Sequence, residues 1–208
     1  MARTFGLLLA MVIGTANLAS AQVAMLTQVS GDVKVASGAD TRPAVAFLKV
    51  NDGDTLTLAG TARVQMVYLA SGRQEVWSGA GPVKVGPQQS ASAGLTPQTS
   101  QVPAIILKQL EKTPAVGQKG KTGMVMLRSM DNLDALDALE QDYKKYRAEA
   151  PADDVTPEVF YLTGLLDLGG NDDAKAFIET LKAKQATVPA LGPVIEHFTR
   201  LVAEATAK

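Results

Sequence analysis

Three observations predict an α+β fold in which an all-β module precedes a helical-hairpin bundle. Apolar residues alternate with polar ones between Gln22 and Gly86, the period of strands with one buried face. From Ser129 onward the apolar spacing changes to steps of three and four, the period of helices buried along one side. Turn residues interrupt the first half about every eight to twelve positions, which favours a sandwich, a barrel or a β-solenoid-like coil over alternating β and α units. The 208 residues are 46% hydrophobic and include no cysteine, so the chain can build cores without disulfide staples.

Residues 1–21 read as a signal peptide. Arg3 precedes an apolar run from Phe5 to Ile13, and Ala19-Ser20-Ala21 offers small residues for cleavage before Gln22. That run is about half of the roughly 20 residues that cross a bilayer, and no second apolar span follows. The expected destination is the periplasm, with no stable membrane insertion.

Residues 22–86 are expected to form the β domain. Val23, Met25, Thr27 and Val29 alternate, as do Val33 and Val35, then Leu56 and Leu58, and at greatest length Ala62, Val64, Met66, Tyr68 and Ala70. Arg63 and Gln65 point the other way in that last run, which predicts a sheet with one buried and one partly wet face. Residues 87–103 carry no charge and are rich in Gln, Ser, Thr and Pro, the composition of a flexible linker. Ala91 to Thr96 is the part of it suited to a last edge strand.

Residues 104–128 are expected to hold a short helix started by Pro103, a basic loop and a strand at MVMLRS. The helical domain then spans 129–208. Leu133, Leu136, Leu139, Tyr143 and Tyr146 mark its first apolar stripe. Thr156-Pro157-Glu158 reads as cap, first-position proline and first-turn acid. Gly169-Gly170 ends that helix, Asn171-Asp172-Asp173 caps the next, and Pro193 opens the last. Two antiparallel hairpins are the economical packing.

Charge is uneven along this plan. Residues 22–104 hold six bases and five acids, residues 105–128 five bases and one acid, and residues 129–208 eight bases and 15 acids. A near-neutral module therefore joins an acidic one through a basic connector. The whole chain has a net charge of -1, which gives no general attraction to nucleic acid or anionic lipid.

The segments AMLTQVSGDVKV and FLKVNDGDTLTLAGTARVQMVYLASGR resemble the periplasmic FecR-type domain. The elements carrying the resemblance are Gly31-Asp32-Val33, Leu48, Gly53-Asp54, Leu56, the run from Ala62 to Leu69, and Ser71-Gly72. They cover about residues 23–86. The resemblance implies an all-β module that relays contact with an envelope receptor. The sequence shows neither the cytoplasmic helical segment nor the membrane span of the iron-transport regulators, so the resemblance implies a β binding or assembly module and puts an anti-sigma role in doubt. YLTGLLDLGGNDDAKAFIETL is similar to a tetratricopeptide hairpin, although helix starts 41 and 34 residues apart establish no array.

Chemical motifs are sparse. AVGQKGKTG matches a permissive phosphate-loop pattern, but a short helix precedes it where that loop needs a strand, so no nucleotide is expected. His197 is the one histidine and reads as structural or surface. Asp52 and Asp54 flank Gly53 in a turn, whereas glycosidase chemistry needs carboxyls across a cleft. Asp167, Asn171, Asp172 and Asp173 lack calcium-loop spacing. No cofactor, metal or nucleic acid is expected.

Trp77, with Arg73 and Glu75 beside it, is the candidate partner contact, because Trp and Arg dominate binding hot spots. The competing reading has the indole closing one end of the sheet core. The functional expectation is a non-enzymatic periplasmic binding or scaffold protein contacting an envelope protein or a peptidoglycan-type polymer. The alternatives are an accessory sensor in envelope signalling and, third, a glycan hydrolase using carboxylates.

Overall fold

The computed structural model describes residues 22–116 and 130–207. The signal peptide, the basic loop and the MVMLRS strand expected from the sequence lie outside the described residues. The rest is α+β, with antiparallel sheets in the N-terminal part and helices in the C-terminal part.

Nine strands are described: β1 (Gln22–Ser30), β2 (Val33–Ser37), β3 (Asp40–Pro43), β4 (Lys49–Asn51), β5 (Thr55–Leu58), β6 (Arg63–Tyr68), β7 (Arg73–Ser78), β8 (Gly81–Lys84) and β9 (Gln98–Gln101). One sheet runs β4-β1-β6-β7-β9 and the other β3-β2-β5-β8. Ala24 and Leu26 of β1, Val64, Met66 and Tyr68 of β6, and Trp77 of β7 pack against Val33, Val35, Leu56, Leu58 and Val83 of the second sheet. A shared core between two sheets is a sandwich, one of the β architectures expected.

The opposite face of the five-stranded sheet is also buried. Met25 and Val67, which alternate with the sandwich-facing residues, join a second core with the helices. Those helices are α1 (Ala104–Lys112), α2 (Met130–Glu149), α3 (Thr156–Asp167), α4 (Asn171–Lys184) and α5 (Leu191–Thr206). α3 is apolar nearly all round because it packs on each of the other four. Sheet, sheet and helices thus form three layers, with the five-stranded sheet contributing one face to each of two cores.

That layering leaves Arg63 of the partly wet face half-exposed but buries Gln65. Gln65 is 1% exposed, and its Nε2 donates to Asp154 Oδ1 at 2.8 Å and Thr156 Oγ1 at 3.1 Å. Gln74 Nε2 of β7 donates to Asp154 Oδ2 at 3.1 Å. Asp154 Oδ1 also accepts the Thr156 N–H at 2.9 Å. The helix start is therefore held by Asp154, not by a Thr156 cap, and the same carboxylate ties the sheet to the helices. Asn171 likewise is not a cap: Gly170 occupies that position, and Asp172 and Asp173 lie in the first turn.

Phe47 makes a second tie. It holds a left-handed backbone, φ 63°, and its ring stacks on His197 of α5 at 4.5 Å and meets Phe198 edge-on at 6.0 Å. The strained backbone is fixed by its N–H donating to Leu26 O at 2.7 Å and its carbonyl accepting from Val116 N at 3.1 Å.

The expected flexible linker over 87–103 is also corrected. Lys84 and Ala91 exchange two backbone hydrogen bonds, 2.7 and 2.9 Å, and Gln98–Gln101 pairs with β7. Leu95 packs on the sandwich core. Uncharged Ser, Thr and Gln suit a solvated linker and an edge strand equally, and the edge of β7 decides between them. The last strand falls at Gln98–Gln101, not at Ala91 to Thr96.

Candidate binding cleft

β7 reads Arg73-Gln74-Glu75-Val76-Trp77-Ser78, so its period of two sends Gln74 toward the helices and Glu75 and Trp77 into the sandwich. Trp77 is 1% exposed and Glu75 is fully buried. Neither forms a contact surface, which corrects that part of the candidate set. The reading in which the indole closes the sheet core holds.

A buried carboxylate needs compensating donors, since desolvating an unpaired charge costs several kcal/mol. Glu75 has them. Trp77 Nε1 donates to Oε2 at 3.0 Å, the Ser90 N–H is shared between both oxygens at 3.2 and 3.3 Å, and Arg73 Nε donates to Oε1 at 2.7 Å. Ser90 is held in turn by the Tyr68 hydroxyl at 2.7 Å, and burial pushes that phenol up to about 12 despite the Ser90 hydrogen bond. The segment once expected to be a linker therefore plugs one end of the sandwich.

Arg73 is the partly exposed member of this group. Glu75 engages its Nε, and among the described residues the terminal amino groups meet no further hydrogen-bond partner. They line a cleft of about 960 Å³ with Ser71, Gln89, Thr99, Ser100 and Gln101. The cleft is the open side of the sandwich, between β9 on one sheet and the Ala91 bridge on the other. Gly72 shapes its end: it has φ 71°, and a Cβ there would lie 2.8 Å from Val102 O. Hydroxyls, side-chain amides and one preoriented guanidinium can hold a hydrogen-bonding chain and, by paired N–H donors, a carboxylate.

A second cleft, about 380 Å³, lies where the β layers meet α5, with Val45, Phe47, Val116 and Pro193 among its apolar walls. His197 lines it but is engaged, with Nε2 3.0 Å from Pro114 O and Nδ1 3.2 Å from Arg200 Nη2. Burial, with the Arg200 guanidinium beside it, pulls its pKa down to about 4. The ring is a neutral structural group, as the sequence suggested. The spacing of His197 and Phe198 marks a buried helix face, but nothing local in the sequence announces that Phe47 stacks on it.

The remaining acidic candidates are spread apart. Asp54 Oδ2 accepts the Asn51 N–H at 2.8 Å in the turn around Gly53. Asp167 pairs with Lys112 at 2.6 Å. Glu158 lies beneath Arg147, at 3.1 Å, and the Tyr143 hydroxyl, with burial raising its pKa against the pull of Arg147. Among the described residues no three His, Asp or Glu side chains gather as a metal set, and no helix is long and apolar enough to cross a membrane.

No family model, curated protein or solved structure matches the chain.

Proposed function

We propose that this is a non-enzymatic binding or scaffold protein of the periplasm, and that it holds a segment of an envelope protein or of a peptidoglycan-type polymer in the cleft over Arg73. The observation that carries the reading is the construction of that cleft. A fully buried Glu75, itself bonded by Trp77 and Ser90, orients Arg73 and leaves its outer N–H groups for a ligand. Such a supporting shell is what a precise polar contact needs. The carboxylates best placed for chemistry by burial, Glu75, Asp154 and Glu158, are each committed to structural hydrogen bonds. The resemblance of residues 23–86 to an envelope receptor-contact domain points the same way.

The accessory-sensor reading has one observation of its own. Gln74 bonds Asp154 on the helical side, while its neighbours on the strand, Arg73 and Glu75, form the cleft. Occupancy at Arg73 is thereby one residue from the joint between layers.

The test is calorimetric titration of the mature chain with soluble muropeptides, alongside crosslinking pull-down from envelope extracts. The comparison protein carries Arg73→Met with Glu75→Gln, which removes the guanidinium without stranding a buried charge. Binding by the wild type that the double variant loses sustains the proposal. Turnover of a glycan substrate, or binding indifferent to the double variant, would overturn it.

A further inference from the structure

Sheet edges present unpaired backbone N–H and C=O groups, and proteins usually blunt them with charge, proline, shortness or cover. Three of the edges here are treated that way. β3 carries Asp40, Arg42 and Pro43. β8 carries Pro82 and is capped by the two-bond bridge to Ala91. β4 is only three residues long, and its Lys49 Nζ donates to Glu111 O at 3.3 Å beside it.

β9 is different. Gln98–Gln101 contains no charge and no proline, all four residues are exposed, and the register against β7 is unbroken. The Val102 N–H donates to Gly72 O at 2.8 Å. Alternation along an antiparallel ladder then turns Ser100 toward β7 and leaves the Thr99 N–H and C=O facing outward. Thr99 and Gln101 share a face with Arg73 and Glu75, which they oppose in register, and that face borders the cleft.

We infer that β9 is a strand-addition site for an extended segment of another polypeptide bearing a carboxylate that pairs with Arg73. The inference rests on the binding reading above and names its occupant. An added strand would lie about 4.8 Å beyond β9 and so about 10 Å from β7. A Glu side chain from it and the Arg73 side chain together span that distance. Among the described residues Arg73 is the one charged residue lining the cleft, so a single acid is complemented and a second base is not. Backbone pairing supplies affinity in this mode and the side chain entering the cleft supplies selectivity. A glycan strand has no regular ladder of N–H and C=O groups to offer β9.

The test uses the mature chain and fluorescently labelled peptides of alternating Thr and Val, with a central Glu or Gln, read by anisotropy. The Glu peptide is expected to bind about tenfold more tightly than the Gln peptide, the ratio that one charge-assisted contact of about 1.4 kcal/mol gives. N-methylation of alternate backbone amides abolishes binding. Thr99→Pro, which removes an outward N–H and no bond to β7, also abolishes it at an unchanged denaturation midpoint. Arg73→Met with Glu75→Gln makes the Glu and Gln peptides equal.

Equal binding of methylated and unmethylated peptides would overturn strand addition. That comparison uses the wild-type chain and decides the matter even if Thr99→Pro fails to fold. Muropeptide binding that depends on Arg73, with no peptide bound, would overturn this inference and leave the binding reading standing. Binding of neither probe would remove both. Self-association in sedimentation that Thr99→Pro abolishes would give the edge to a second copy and overturn the proposed partner.

Discussion

Asp154→Ala is predicted to destabilise the whole protein by about 4 kcal/mol. The carboxylate is 4% exposed and accepts from Gln65 Nε2, Gln74 Nε2 and the Thr156 N–H. Gln65 Nε2 retains Thr156 Oγ1 at 3.1 Å after the substitution, so two donors are left without a partner. Each buried orphan costs about 1–3 kcal/mol, and the middle of that range for two gives the figure. For a chain of this size it corresponds to a melting temperature lower by about 8–16 °C. Asp154→Asn keeps an acceptor for Thr156, and Gln74 can turn its amide to meet the new donor, so its loss falls to about 1 kcal/mol. The assay is urea denaturation followed two ways. Trp77, the single tryptophan, reports on the sandwich, and far-ultraviolet ellipticity reports on the helices. The two curves coincide in the wild type because the five-stranded sheet is common to both cores, and they move together in the variant. Separate wild-type transitions, or an Asp154→Ala midpoint within error of the wild type, would refute the reasoning.

Glu75→Ala leaves Trp77 Nε1, the Ser90 N–H and Arg73 Nε without their acceptor and should cost about 3–5 kcal/mol, whereas Glu75→Gln should cost less than half of that; urea midpoints measure both. Phe47→Ala removes the ring between His197 and Phe198 and should lower stability by about 3–5 kcal/mol in the same assay. His197 has a folded pKa depressed from 6.5 to about 4, so the unfolded chain binds the extra proton first. Its contribution is complete above about pH 6.5 and is lost as pH falls toward 4, roughly 3 kcal/mol in all. Thermal melts of the wild type and His197→Gln across that window should converge as the pH drops; parallel curves would contradict the assignment.

The strands legible in the sequence are those whose alternation is apolar, such as Val64, Met66 and Tyr68. β7 was hidden because its inward residues include Glu75, a charge that reads as surface until Trp77, Ser90 and Arg73 are seen around it. Gln65 looked wet for a related reason: the carboxylate that satisfies it lies 89 residues away. Hydropathy patterns report on neighbours along the chain and not on a partner brought in by the fold. β9 carries no apolar residue at all, so only the pairing demand of β7 marks it. Arg73, Glu75 and Trp77 were visible as a group, but their division into one cleft residue and two buried supports depends on strand register, which a one-residue shift would reverse.

The central claim is that a ligand occupies the cleft over Arg73, and site-specific photocrosslinking tests it most directly. A photoreactive residue replaces Gln101 at the cleft or the exposed Lys145 of α2, and the full chain is expressed in bacteria and irradiated. The account predicts a discrete adduct with one envelope component from position 101, absent when Arg73→Met and Glu75→Gln are present and absent from position 145. Adducts from position 145 alone, or adducts at position 101 that persist without Arg73, would contradict it.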